Sequence, residues 1–297
     1  MKKLIATITL IISMSICMAG NTFAVQSDIT SGTNASTLPV MEEDVMNEYD
    51  YIVDIRSKDE SDCTMAKVSS EEIEYIKSNA VEEELLYRAS LPAEKLRDYY
   101  CYSNEAIQIL KEYDGRRLED APEMRSVLAT FSAGLGELVK TPTRTGVIYT
   151  WSWSSKPVVC HNDCVAVAWE GTYRGGLHNN MAFDFQRSFL HVNYYGLDGQ
   201  VSYKNFTSDN SYNGGGAYFP MLFKADTWAK SGAFYAYMNL VNQVDGPKLI
   251  DLSVHAEYAH AGAIANLGVS FPRAATISFS GNKTVHGVKN IRLTAIK

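Results

Sequence analysis

The sequence predicts an α+β protein laid out by segments: a small N-terminal helical region followed by an antiparallel β-sandwich or small barrel. Three observations predict this class. Apolar residues recur at helical spacing between Ile73 and Leu110. After Pro142 the hydrophobic period falls to two, as in Val147, Tyr149, Trp151, Trp153 and in Leu252, Val254, Ala256, Tyr258. Glycine-rich turn signals at Gly175-Gly176, Asp198-Gly199, Asn213 to Gly216, Asp245-Gly246-Pro247 and Gly281-Asn282 separate the alternating runs. Alternation, rather than solid apolar runs, argues against a buried parallel sheet.

Taken in order, residues 1–24 have the pattern of a signal peptide. Lys2 and Lys3 precede an apolar run from Leu4 to Ala19, and Thr22-Phe23-Ala24 offers small residues at −3 and −1. A secreted, extracellular protein is the expectation. Residues 25–68 read as an acidic, largely disordered spacer, rich in Ser, Thr, Asn and Asp at its start. The apolar island from Tyr49 to Ile55 is open between an edge strand and a docked loop.

Residues 69–140 read as short helices. Ser69 with Glu72 forms a capping-box pattern ahead of Ile73 and Ile76. Ser90 with Pro92 opens a second helix, and Ser103 caps a third that stops at Gly115. Asp120-Ala121-Pro122-Glu123 predicts a fourth, carrying Met124, Val127, Leu128, Phe131 and Leu135. Residues 141–297 then read as the antiparallel β domain, with nine or ten strands suggested by the turn spacing. Within it, Gly214-Gly215-Gly216 reads as a flexible loop tip.

Charge divides between these parts. Residues 25–140 hold 25 acids and 12 bases, a net of −13, while residues 141–297 hold 9 acids and 13 bases, a net of +4. The acidic half reads either as solvated helix faces or as a layer folded back on the mildly basic half. A net of +4 is too weak for a nucleic-acid partner.

Two patches resemble known sequences. SLPAEKLRDYYCYSNEAIQILKEYDG at 90–115 and LSVHAEYAHAG at 252–262 are similar to a helical module and a strand of uncharacterised secreted proteins of Gram-positive bacteria. The resemblance implies a helical module ahead of a C-terminal β domain and carries no assigned activity.

Candidate chemistry is sparse. Setting aside Cys17 in the leader leaves Cys63, Cys101, Cys160 and Cys164. An even count in an exported chain predicts disulfides, with Cys160–Cys164 and Cys63–Cys101 the economical pairing. A five-residue loop closed this way contributes only about 2 kcal/mol. Cys160-His161-Asn162-Asp163-Cys164 lacks a second ligand pair at zinc spacing, so no metal is expected. His255 and Glu257 share one face of a strand and are the weak catalytic candidates, as an oriented general base. The structural reading of that face is a solvated one.

No nucleophile elbow, phosphate loop or dinucleotide fingerprint is present, and no cofactor is expected. Trp151, Trp153 and Trp169 read as core, and Trp228, in a polar context, as an exposed binding residue. The leading functional expectation is a non-enzymatic extracellular binding protein with a glycan or the cell envelope as partner. A membrane-active β-rich toxin covered by the acidic half, and a hydrolase using β-domain carboxylates, are the alternatives.

Overall fold

The helical spacing and the period-two spacing fold into a helical layer seated on a pair of sheets. The computed structural model describes residues 44–65, 68, 70–140, 144–160, 162–173, 181–183, 187–197, 199–206, 209–211, 214–224, 226–240, 249–261, 268–270, 278–280 and 283–294. The described chain opens with strand β1 (Asp44–Asn47) and helices α1 (Glu48–Ser57), α2 (Glu60–Met65), α3 (Ser70–Lys77), α4 (Ala80–Ser90), α5 (Ala93–Asp98) and α6 (Asn104–Glu112). Two 3-10 helices, Leu118–Asp120 and Pro122–Ser126, complete the helical layer.

Segment 44–65 corrects the expectation of a disordered spacer, because it supplies β1, α1 and α2. The island left open between strand and loop is α1. The Asn47 side chain accepts a hydrogen bond from the Tyr49 N–H at 2.9 Å, and Ile52 and Ile55, three apart, are buried on one face. The capping residue Ser103 is as expected, accepting from the Ala106 N–H at 3.1 Å. Gly115 takes φ +85° after α6, with Leu86 packed so close that a Cβ there would lie 2.7 Å from it. Ser69 of the proposed capping box lies outside the described residues.

The fourth helix is a correction. After the 3-10 turn at Pro122–Ser126 the chain enters strand β2 (Thr130–Lys140). Phe131, Ala133 and Leu135 are buried while Thr130, Ser132 and Gly134 are not, a period of two that outweighs the looser helical match. Gly134 and Gly136, which penalise a helix, suit this strand next to its partner. The β region therefore starts ahead of residue 141.

The remaining strands are β3 (Arg144–Trp153), β4 (Asn162–Tyr173), β5 (Met181–Phe183), β6 (Phe189–Gly196), β7 (Val201–Phe206), β8 (Asp209–Ser211), β9 (Gly214–Pro220) and β10 (Leu222–Lys224). They are followed by β11 (Thr227–Leu240), β12 (Leu249–Ala261), β13 (Gly268–Ser270), β14 (Ser278–Ser280) and β15 (Lys283–Thr294). All described pairings are antiparallel. One sheet runs β1-β2-β3-β11-β6-β7, with β5 and β10 also on β11. The second runs β15-β12-β4-β9-β8, and β13 with β14 forms a separate ribbon. The described strands do not close into a barrel. Gly214 to Gly216, expected as a loop tip, are buried in β9 opposite Ala166 to Ala168, where the absent side chains leave room for the neighbouring strands.

The two large sheets face each other across aromatic side chains. Trp151 stacks on Phe219 of the opposite sheet at 4.9 Å, and Phe131 and Trp151 both meet Tyr258. Trp151, Trp153 and Trp169 are at most 3% exposed, as the sequence predicted for core residues. Asp163 is fully buried among them and accepts a hydrogen bond from Tyr258 Oη, to which Trp153 Nε1 donates at 3.3 Å. Burial, reinforced by Asp163, holds the Tyr258 hydroxyl well above its ordinary pKa, so it remains a donor.

The acidic helical layer is docked on the β region through buried charge. The Arg88 guanidinium, 1% exposed, donates to the carbonyls of Lys156 and Pro157 and to Tyr102 Oη, and pairs with Glu84 at 2.7 Å. Glu48, 2% exposed, accepts from the backbone N–H groups of Val158 and Val159 at 2.7 and 2.9 Å. Lys156 lies over the rings of Tyr99 and Tyr100. The loop after β3 is thus gripped from both charges of the helical layer.

Candidate functional site

The alternation that fills the core also builds the opposite face of the larger sheet. With Phe131, Trp151, Phe234 and Val192 turned inward, the residues between them point outward. Register then sets those outward residues in rows. Ser132 lies opposite Ser152, Ser152 opposite Ser231, and Ser231 opposite Asn193. The next row is Gly134, Thr150, Ala233 and His191, and the one beyond it is Gly136, Ile148, Tyr235 and Phe189. Successive rows are about 7 Å apart along the strands.

The first two rows are polar, small and nearly free of formal charge. Asn193 Nδ2 donates to Ser231 Oγ at 3.0 Å, and His191 Nε2 lies 3.2 Å from Asn193 Oδ1. Ser132, Gly134, Thr150, Ser152 and Ser231 line a trough of about 410 Å³. Such a volume is in the range of small-ligand sites. The third row is an aromatic ledge. Phe189, 37% exposed, stacks on Tyr235 with centroids 4.6 Å apart and an interplanar angle of 20°. Burial raises the Tyr235 hydroxyl above its ordinary pKa, with a smaller contribution from Tyr237.

In the other direction the rows continue to Thr130 and Ser154, where the Thr130 N–H donates to Ser154 Oγ at 2.8 Å. These two residues are also part of a cleft of about 700 Å³, together with Cys101, Ser103, Ser126 and Ser155. Thr130 and Ser154 stand one row beyond Ser132 and Ser152, so the cleft adjoins the trough in register along β2 and β3, and the two together are termed the groove. The Ser155 hydroxyl, in a residue 4% exposed, has no hydrogen-bond partner among the described residues.

The binding candidate Trp228 is a correction. It sits on this same outer face, opposite Tyr195, but is 0% exposed, because the helical layer covers it and the Tyr99 carbonyl accepts from its Nε1 at 2.7 Å. Its polar sequence context reflects the strand turn at Lys224 to Thr227, not the environment of the indole.

His255 and Glu257 are brought together as expected, on the outer face of the second sheet with Nε2 and Oε1 2.5 Å apart. Their side chains are 17% and 14% exposed while Ser253, two residues before on the same face, is exposed, so the face the alternation suggested as solvated is only partly so at the pair. The residues opposite them on β4 are Ala168 and Ala166, which bring no reactive group. Among the other histidines, His191 joins the groove, His260 and His286 fall within β12 and β15, and His161 and His178 lie outside the described residues.

The expected disulfides are a further correction, since Cys63, Cys101, Cys160 and Cys164 are all thiols. Each is committed to a different neighbour. Cys63 Sγ donates to the Ile55 carbonyl on α1, Cys160 Sγ to the Pro157 carbonyl, and Cys164 Sγ to the Val165 carbonyl. Cys101, the one described non-glycine residue with positive φ (61°), faces Lys230 of β11. Burial pushes the Cys160 thiol up to about 12, and raises that of Cys101. No group of three or more metal-ligating side chains occurs among the described residues.

The sequence shows the polar face of one strand of this groove and gives no sign that the face is a site. Thr150, Ser152 and Ser154 stand out as the polar face of β3. Thr130, Ser132 and Gly134 were absorbed into the predicted helix, although their own alternation with Phe131, Ala133 and Leu135 carries the signal.

No protein-family model matches the chain, and no curated protein matches it. Among solved structures, the chain is similar to one described as "AvmM Catalyzes Macrocyclization in Alchivemycin A Biosynthesis". The identity is 9%, over 56% of this chain and 90% of that chain, with a TM-score of 0.28. A likeness of that size carries no argument about fold or activity.

Proposed function

We propose that the protein is a non-enzymatic extracellular binding protein whose groove on the outer face of the larger sheet holds an extended, uncharged carbohydrate chain of cell-envelope type. The observation that carries this reading is the register-aligned ladder of Ser132, Ser152, Ser231 and Asn193, with Thr150 beside it and the Phe189–Tyr235 ledge beyond. Hydroxyl and amide groups both donate and accept, which suits a ligand whose own groups are hydroxyls. The aromatic ledge offers a large flat apolar surface with a polar edge, the complement of a sugar ring's two faces. The ladder contains no Asp, Glu, Lys or Arg, and the two charged residues on the cleft, Arg125 and Glu123, are already paired with Asp50 and Arg116. A linear β-1,4-linked chain is a flat ribbon, a shape that can lie along an open trough on a sheet. Export is part of the reading, supported by the Lys2-Lys3, apolar-run and Thr22-Phe23-Ala24 pattern.

Sedimentation with insoluble peptidoglycan and with chitin, a β-1,4-linked N-acetylglucosamine polymer, tests it. The parent protein is expected to pellet with one or both. Thr150→Trp, which fills the trough from an exposed position, is expected to stay soluble while keeping the parent's unfolding midpoint. A parent that binds neither material, or a Thr150→Trp variant that binds as well as the parent, overturns the reading.

A further inference from the structure

The two ends of the groove differ. Toward the ledge, β2, β3 and β11 carry the face on past Ile148 and Tyr235 to a further row of Val139, Gly146 and Tyr237, with Phe189 exposed beside Tyr235 at the start of β6. Toward the helical layer, both strands leave the ladder at the same row. β2 begins at Thr130, with three residues between it and the 3-10 turn that ends at Ser126, and β3 gives way at Ser154 to the loop held by Arg88 and Glu48. Asn47 Nδ2 donates to the Arg125 carbonyl at 3.1 Å and to Thr130 Oγ1 at 3.2 Å, which ties the 3-10 turn to the last row of the ladder. The Lys156 N–H donates to the Tyr100 carbonyl at 2.9 Å, fixing the other strand's exit against the α5–α6 junction. The ladder therefore runs into a wall, and the cleft of about 700 Å³ is the space left in front of it.

From this we infer that the groove receives its ligand by the chain end. The terminal sugar enters the cleft over Thr130 and Ser154, and the following sugars lie along Ser152, Thr150 and the ledge. The inference rests on the carbohydrate reading above and adds the polarity of binding to it. Two features of the cleft fit a terminal unit rather than a passing one. Its lining includes both the Cys101–Ser103 junction and the 3-10 turn with Pro122, Glu123, Arg125 and Ser126, beyond the last row of the strands. The lining also includes Ser155, whose buried hydroxyl lacks a partner among the described residues.

Stoichiometry separates end-on from lateral binding. Titration calorimetry of the full chain against soluble, linear β-1,4-linked N-acetylglucosamine chains of graded length is expected to give one protein per chain at every length beyond that of the groove. Ser126→Trp narrows the cleft from an exposed position and is expected to weaken binding at least about tenfold at all lengths. A stoichiometry that rises with chain length, together with undiminished binding by Ser126→Trp, overturns end recognition while leaving the carbohydrate reading in place. No heat with any length, in a protein that does not pellet with peptidoglycan or chitin either, overturns both.

Discussion

The helical layer and the sandwich are stabilised by different chemistry. Between the sheets the contacts are aromatic, with Trp151 on Phe219, Phe131 against Trp153 and Tyr258, and one buried carboxylate, Asp163, held by Tyr258. Across the seam between the helical layer and the sheets, they are charged. Arg88 and Glu48, both nearly fully buried, each make two hydrogen bonds to backbone groups of the Lys156 to Val159 loop, beside Arg88's bonds to Tyr102 and Glu84 and Glu48's from the Ala129 N–H. A second buried pair, Arg56 with Glu82 at 2.6 Å, ties α1 to α4 and to the 3-10 turn at Leu118. Aromatic packing is tolerant of small shifts, whereas a buried ion must be met at every lone pair or proton. The difference implies that the sandwich sets the overall stability, while the seam sets where the helical layer sits and so where the groove ends.

The hardest test of that division is Trp151→Ala. It removes the residue between Phe219 and Tyr258 and opens a cavity against Gly232, whose Cα lies hard against the indole. A loss of about 3–5 kcal/mol is expected. Urea unfolding followed by near-ultraviolet circular dichroism and by tryptophan fluorescence should move together, since the shared core falls with it. A loss below about 1 kcal/mol would mean that the aromatic contacts are not what holds the sheets.

Arg88→Ala comes next, at about 3 kcal/mol, because it strands the carbonyls of Lys156 and Pro157 and the Tyr102 hydroxyl in a buried seam. Here the two regions should part company. Hydrogen exchange is expected to speed up in α4, α5 and the 156–160 loop while β4, β11 and β12 keep their protection. Uniform acceleration in helices and strands alike would make seam and sandwich one cooperative unit and dissolve the comparison.

The same contrast explains what the sequence could and could not yield. The sandwich strands were legible because one face is apolar and the other is not: Val147 to Trp153 and Leu252 to Tyr258 state their own pairing face. The helix start at Ser103 was legible from local capping chemistry, whereas Ser90, expected with Pro92 to open the next helix, is the last residue of α4, and Pro92 makes no capping bond. The seam was not, because Glu48 and Arg88 sit in acidic, polar stretches that look solvated, and their partners are backbone groups about 70 to 110 residues away. Trp228 was misread for the same reason, since its cover, Tyr99, is distant in sequence. The ladder of the groove depends on register across four strands, and register between distant strands leaves no mark on any one of them.

The smallest effect is also the one that tests the seam's charge most directly. Burial raises the Glu48 carboxyl above its ordinary pKa, against the opposing pull of the Val158 and Val159 N–H groups and of Arg88. A carboxyl raised on folding adds stability that is fully present below the unfolded value near 4.5 and is lost as pH climbs through the folded value. Glu82 is set the other way. Burial pushes it up, but the Arg56 hydrogen bond and charge bring it below its ordinary value. Its contribution is present above the unfolded value and is lost as pH falls through the folded one. Glu48→Gln keeps an oxygen for the Val158 and Val159 N–H groups and removes the titration. Urea midpoints for parent and variant between pH 4 and pH 8 should therefore diverge, with the variant gaining on the parent as pH rises, by about 1 kcal/mol or less. Glu82→Gln should do the reverse, losing to the parent as pH rises. A Glu48→Gln curve parallel to the parent's would place that carboxyl outside the buried seam's energetics, and leave Arg88 as the seam's single charged anchor.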